Sequence, residues 1–211
     1  ELDEEFIRRR IEAALQVRRE RLPGEEDFRL VYGESDRLPG LVVDKYGRHF
    51  VVQAYSVAMD QRLDLVAAAL RGVFDVQAVM EKDDVRLRDA EGLPRRESVL
   101  WGEPEPRITI SESGVRYRVD IASGQKTGYY FDHRLTRRKA REAAAGRRSL
   151  DVFSYTGSFA INAALGGASW VLAVDASAPA AAIAAENAAL NGVGERCRFE
   201  VGNAFNFLAD L

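Results

Sequence analysis

Leu150-Asp151-Val152-Phe153-Ser154-Tyr155-Thr156-Gly157-Ser158-Phe159, followed after an alanine-rich stretch by Trp170-Val171-Leu172-Ala173-Val174-Asp175, reads as strand, tight turn, helix, strand and terminal acid. That order is the first βαβ unit of a nucleotide-type binding fold, in which ligands sit outside the carboxyl ends of the strands. Downstream, residues 179–191 read as a helix, 197–201 as a third strand and 203–211 as a short last helix. Strand and helix alternating at this length require a parallel arrangement. In the usual order of such sheets the first strand is central and the third is an edge. With no fourth strand the first keeps an unpaired inner edge, so half of a cofactor-binding sheet is expected, with residues 121–211 the least stable part of the chain. Pairing of that edge with another copy, a homodimer, is one way to cover it.

The turn discriminates between cofactors. A dinucleotide fingerprint needs three glycines so that backbone amides can close on a pyrophosphate at a helix N-terminus. Here one glycine remains, Gly157, and Phe153, Ser154 and Tyr155 fill the preceding positions. Such a loop suits a ligand without phosphates better than a nicotinamide cofactor. S-adenosylmethionine (SAM), an adenosine carrying a zwitterionic methionine and a sulfonium, is one. Asp151, ending the first strand, is placed to face its ammonium group. Asp175, ending the second, has the register to accept both ribose hydroxyls. For either acid alone, reception of turn amides is the competing role.

A second run lies upstream, Gly124-Gln125-Lys126-Thr127-Gly128-Tyr129-Tyr130-Phe131-Asp132-His133-Arg134. Together with Asp151-x-Phe-Ser-Tyr-Thr-Gly157, Asp175-x-Ser177 and Glu186-Asn187-x-x-x-Asn191-Gly192, it resembles the bacterial large-subunit ribosomal RNA methyltransferases that make 5-methylcytosine. A sister group that methylates guanine at N7 shares much of the pattern. The resemblance runs from about Asp27 onward. It implies an α/β chain, with a small α+β central domain followed by the first half of a Rossmann-like class I methyltransferase sheet. It also implies that Gln125, Lys126, Thr127, Tyr155, Asp175 and the Asn203 region line a SAM site, that the substrate is ribosomal RNA, and that this chain lacks the family's N-terminal RNA-binding domain and C-terminal catalytic part. Where the family usually shows an acid after the third strand, this chain has Asn203. Its side-chain oxygen can accept from the adenine amino group, or it can cap the helix that follows.

The rest of the chain is consistent with a globular cytoplasmic protein. Of 211 residues 46% are apolar, enough for one large core or two modest ones, and the apolar stretches are too short to span a membrane. No signal peptide opens the sequence, and one cysteine excludes internal disulfides and cysteine-based metal clusters, so no metal is expected. The net charge of −3 means that an RNA partner must be met by local patches. Three segments are expected. Residues 1–26 form an N-terminal helix and linker whose arginines either touch phosphates or form a solvated face balanced by Glu4, Glu5 and Glu20. Residues 27–106 form the α+β domain, with Gly33-Glu34-Ser35-Asp36 as a structural turn. Residues 107–211, opening on a hairpin through Ser113-Gly114, form the partial methyltransferase domain. Within it, the basic run from His133 to Arg148 offers Arg134, Arg137, Arg138 and Arg141 as RNA contacts, or as a solvated helix face.

The reaction needs further parts. Carbon 5 of cytosine is a poor nucleophile, so a cysteine thiolate adds to carbon 6 before methyl transfer, and a base then removes the C5 proton. The single thiol, Cys197, begins a strand and shares a face with Phe199 and Val201, the pattern of a core cysteine. In the resembled family the nucleophile follows the fourth strand. No catalytic residue is therefore assigned here, and the chain as given is expected to bind SAM poorly and to transfer no methyl group. His49 and His133 lack partners at metal or acid–base spacing. A non-catalytic RNA-binding or scaffold module is the alternative outside the enzymes.

Overall fold

The computed structural model describes residues 2–84 and 86–209. They form two compact units, one of residues up to Ile108 with Asp120–Phe131, the other of Thr109–Val119 with residues from Asp132 onward.

The first unit begins with helix α1, Glu4–Arg21. Asp3 caps it by accepting from the Phe6 amide at 2.9 Å, acids occupy its first turn and arginines its last, in the sense that the helix dipole favours. Ile7, Ile11, Ala14 and Leu15 recur on one face and are buried. Strands β1 (Phe28–Tyr32), β2 (Leu41–Tyr46) and β3 (His49–Ala54) then form an antiparallel meander. A crossover through α2 (Val57–Asp60) and α3 (Leu63–Val73) brings β4 (Ala78–Lys82) parallel to β3, and β5 (Glu97–Gly102) closes the sheet antiparallel to β4. Helix α1 packs in one core with α3 and the sheet, so residues 1–26 are not a separate linker. Gly33–Asp36 is a short 3-10 turn, and Asp36 accepts both the Tyr32 amide and the Arg18 guanidinium, the structural role expected of that acid.

Strands β6 (Arg107–Glu112) and β7 (Val115–Asp120) form the expected hairpin, with Ser113 and Gly114 at φ 51° and 77° in the left-handed region that a two-residue turn requires. The second unit continues with α4 (Arg134–Ala143), β8 (Arg148–Val152), α5 (Ser158–Leu165), β9 (Trp170–Asp175), α6 (Ala178–Leu190), β10 (Cys197–Val201) and α7 (Ala204–Ala209). Its sheet has the order β10-β9-β8, all parallel. Among the described residues β8 pairs with β9 alone, and Leu150 in it is 42% exposed. No helix among the described residues is long and apolar enough to cross a membrane.

Candidate functional site

The turn from β8 into α5 is built from backbone that L-residues rarely adopt. Phe153, Tyr155 and Gly157 have φ values of 60°, 48° and 77°. Strain of this kind in non-glycine residues persists only where surrounding bonds over-determine it, and it concentrates at ligand sites. The bonds are visible here. The Ser154 amide donates to the Val174 carbonyl at 3.1 Å, the Tyr155 amide to Asp175 Oδ2 at 2.7 Å and the Gly157 amide to the Ser154 carbonyl at 2.9 Å.

Asp175 therefore receives turn amides, from Tyr155 and also from Ser177 to Oδ1 at 2.9 Å. A carboxylate has about four lone-pair positions, so each oxygen keeps one for a further donor. The two roles weighed for this residue are compatible. Asp151 accepts from the Ala160 amide of α5 at 3.0 Å. Burial pushes its carboxyl up to about 6, the Ala160 bond opposes the shift and the negative charge of Asp175 adds to it. A desolvated carboxylate of this kind gains from a cation brought beside it.

Other expected site residues take different places. Gly157 does not open space for a ligand: a Cβ there would lie 2.8 Å from both Ala184 Cβ and Phe199 Cε1, so its missing side chain lets α6 and β10 pack against the turn. Asn203 caps α7, its Oδ1 accepting from the Phe205 and Asn206 amides at 2.9 and 3.3 Å. With both lone pairs of that oxygen engaged, what the side chain can still offer a base is the Nδ2 donor, which matches a ring nitrogen and not the adenine amino group. Phe153 and Phe205, 60% and 71% exposed, meet with ring centroids 5.6 Å apart beside this cap, a pairing across 52 residues that no local pattern announces.

Gln125, Lys126 and Thr127 belong to the first unit. Thr127 is fully buried. Its hydroxyl donates to Asp44 Oδ2 at 2.5 Å and lies 3.1 Å from Tyr46 Oη, while Arg29 holds the same Asp44 through two bonds of 2.8 and 2.9 Å. These bonds anchor its segment. Lys126, at φ 50°, shares the left-handed conformation of the turn residues. Its Nζ sits 4.2 Å from the Tyr130 ring centroid, and Tyr130 Oη donates to Gln125 Oε1 at 2.9 Å. Gln125 and Lys126 line a cavity of about 460 Å³ with Lys82, Asp84, Glu97 and Tyr130.

Among the arginines of α4, Arg137 is corrected outright. It is 1% exposed and makes a bidentate pair with Glu112 at 2.7 and 2.8 Å. Arg134 also turns toward Glu112, at 3.4 Å, with a side chain only 11% exposed. Arg138 is exposed and Arg141 half-buried, so of the four candidates these two remain open to phosphates. Cys197 is half-buried with Sγ 3.9 Å from the Ala160 carbonyl, and burial pushes its thiol up to about 11. The core face expected of Cys197, Phe199 and Val201 is only partly formed, since Cys197 and Phe199 are half-buried and Val201 is 57% exposed.

The sequence profile of the S-adenosylmethionine-dependent methyltransferase family matches residues 92–206. The ribosomal RNA large subunit methyltransferase I of Erwinia tasmaniensis is 37% identical over 214 residues, an alignment covering 98% of this chain and 53% of that one. The chain thus spans about half the length of the curated relatives it matches. A Streptococcus mutans structure described as a SAM-dependent methyltransferase superposes with a TM-score of 0.86 at 24% identity, covering 100% of this chain and 55% of that one. A methyltransferase structure complexed with S-adenosylhomocysteine (SAH) superposes with the same TM-score, identity and coverage, and at that identity both likenesses concern the fold.

Proposed function

The chain belongs to the S-adenosylmethionine-dependent methyltransferase family, and from that premise we propose that it serves methylation of large-subunit ribosomal RNA at carbon 5 of cytosine. The observation that carries the cofactor half of the proposal is the strained 153–157 turn, fixed at the carboxyl ends of β8 and β9 between two acids. Asp175 keeps acceptor capacity for a ribose, and the desolvated Asp151 suits an ammonium group. The Asn203 amide supplies a donor for a base edge. When bound, SAM supplies an electrophilic methyl group on a sulfonium.

The Gln125-Lys126-Thr127 segment is included in the site on the motif resemblance, with Lys126 and Gln125 as contacts and Thr127 as their anchor. Arg138 and Arg141 are the proposed phosphate contacts. Cys197, held protonated, is not the nucleophile. In this proposal the thiolate belongs to the part of the family's fold that these residues do not cover. The RNA substrate and the choice of base rest on the relatives named above and on the motif series.

The test is methylation of large-subunit ribosomal RNA by the whole protein with methyl-labelled SAM, followed by nucleoside analysis. Labelled 5-methylcytidine is the expected product. Labelled 7-methylguanosine would keep the class and change the base, and RNA binding without any transfer would favour a non-catalytic module.

A further inference from the structure

Asn187 and Asn191 of the Glu-Asn-x-x-x-Asn-Gly motif stand four residues apart, at the end of α6 and on its C-cap. Four helical residues advance about 6 Å. Two strand residues advance about 6.7 Å, and alternate strand residues present N–H and C=O to the same edge. The second unit uses this match. Asn187 Oδ1 accepts from the Arg118 amide of β7 at 2.6 Å, and its Nδ2 donates to the Arg118 carbonyl at 3.2 Å. Asn191 repeats the pattern two residues earlier, with the Arg116 amide at 3.0 Å and carbonyl at 2.6 Å. The two side-chain amides stand in for a neighbouring strand along the edge of β7.

The two differ in their remaining hydrogen. Asn191 Nδ2 gives its second bond to the Asn187 carbonyl within its own helix, at 2.8 Å. Asn187 Nδ2, on a fully buried side chain, reaches the Thr156 carbonyl in the β8–α5 turn at 3.2 Å. The peptide between Thr156 and Gly157 is planar, so a bond at either end fixes its orientation. Here both ends are held, the carbonyl by Asn187 and the Gly157 N–H by the Ser154 carbonyl.

We propose that Asn187 is a positioning residue for the cofactor turn, holding residues 153–157 in their strained conformation and tying that conformation to the β6–β7 hairpin. The proposal rests on the reading of this turn as the SAM site. Asn191 provides the control, because Asn187→Ala and Asn191→Ala each remove two bonds to β7 while only the first releases the turn. Both variants are expected to lower the thermal midpoint. Asn187→Ala alone is expected to speed amide exchange at Tyr155 and Gly157 and to weaken SAH binding about tenfold, the worth of one buried hydrogen bond. Equal weakening of SAH binding in the two variants, or unchanged exchange at those amides in Asn187→Ala, would overturn the proposal.

Should Asn187→Ala fail to fold, the side-chain amide resonances of the native chain carry the test. SAH is then expected to shift those of Asn187 and leave those of Asn191 in place, and equal shifts would overturn the assignment. A native chain without any response to SAH overturns the cofactor reading instead, and where Asn187→Ala folds, exchange at Tyr155 and Gly157 in the two variants then decides the positioning claim by itself.

Discussion

Asp151 couples stability and ligand binding through one proton. Its folded value of about 6 lies above the ordinary 3.8, so the folded state favours the protonated form. Its contribution to stability is full at low pH and is lost as pH rises through about 6. Asp151→Asn keeps an acceptor for the Ala160 amide and has no charge to desolvate. It is expected to gain on the order of 2–3 kcal/mol over the native chain at pH 7.5 and almost nothing at pH 4, as read by urea unfolding at the two pH values. A cationic ligand prefers the ionised carboxylate, so SAM affinity is expected to rise with pH between 5 and 7 in the native chain and to stay flat in Asp151→Asn. Gly157 makes the opposite case, where the residue serves packing and not the ligand. Gly157→Ala meets Ala184 and Phe199 at 2.8 Å in a left-handed conformation and is expected to cost at least about 2–3 kcal/mol in the same assay. The positions of Asp151, Asp175 and the turn were legible in the sequence because strand ends and turn residues are local signals. The burial of Thr127 was not, since its partner Asp44 lies 83 residues away and no local pattern announces it.

Helix α4 shows how one element can mislead. Its arginines read as a uniform basic run, yet a helix turns about 100° per residue, so one of them had to meet the hairpin. Arg137 does, and pairs with Glu112, 25 residues earlier. Arg137→Ala removes both bonds of the bidentate pair and leaves buried Glu112 with Arg134 at 3.4 Å, and is expected to cost about 2–4 kcal/mol in thermal or urea unfolding, whereas Arg138→Ala is expected within about 0.5 kcal/mol of native. Equal costs would mean that the pair is not formed in solution. The parallel strands β8, β9 and β10 were readable as short apolar runs between helices. Strand β5, Glu97–Gly102, was not: nearly all its residues are exposed, so neither face imposes an apolar alternation on its sequence. Its place in the sheet follows from pairing with β4, which is a tertiary fact.

At the scale of the whole molecule the two units differ in how fully their sheets are closed. In the first, β2 and β3 are buried along their whole length and flanked on both sides by paired strands. In the second, β8 pairs with β9 alone among the described residues and its own residues are half-exposed or exposed, an arrangement that leaves backbone groups and apolar surface open. Amide exchange is therefore expected to be faster in β8 than in β3 by orders of magnitude, in a monomer at low concentration. Equal protection would show that the open edge costs the second unit nothing. The central claim is that the acid-flanked turn of this unit is a SAM site, and amide chemical shifts report it even at millimolar affinity. SAH added to the native chain is predicted to move the amides of residues 154–157 and 177, NAD is predicted to leave them in place, and Asp175→Ala is predicted to abolish the SAH response. Shifts of the same size in Asp175→Ala, or an equal response to NAD, would contradict the account.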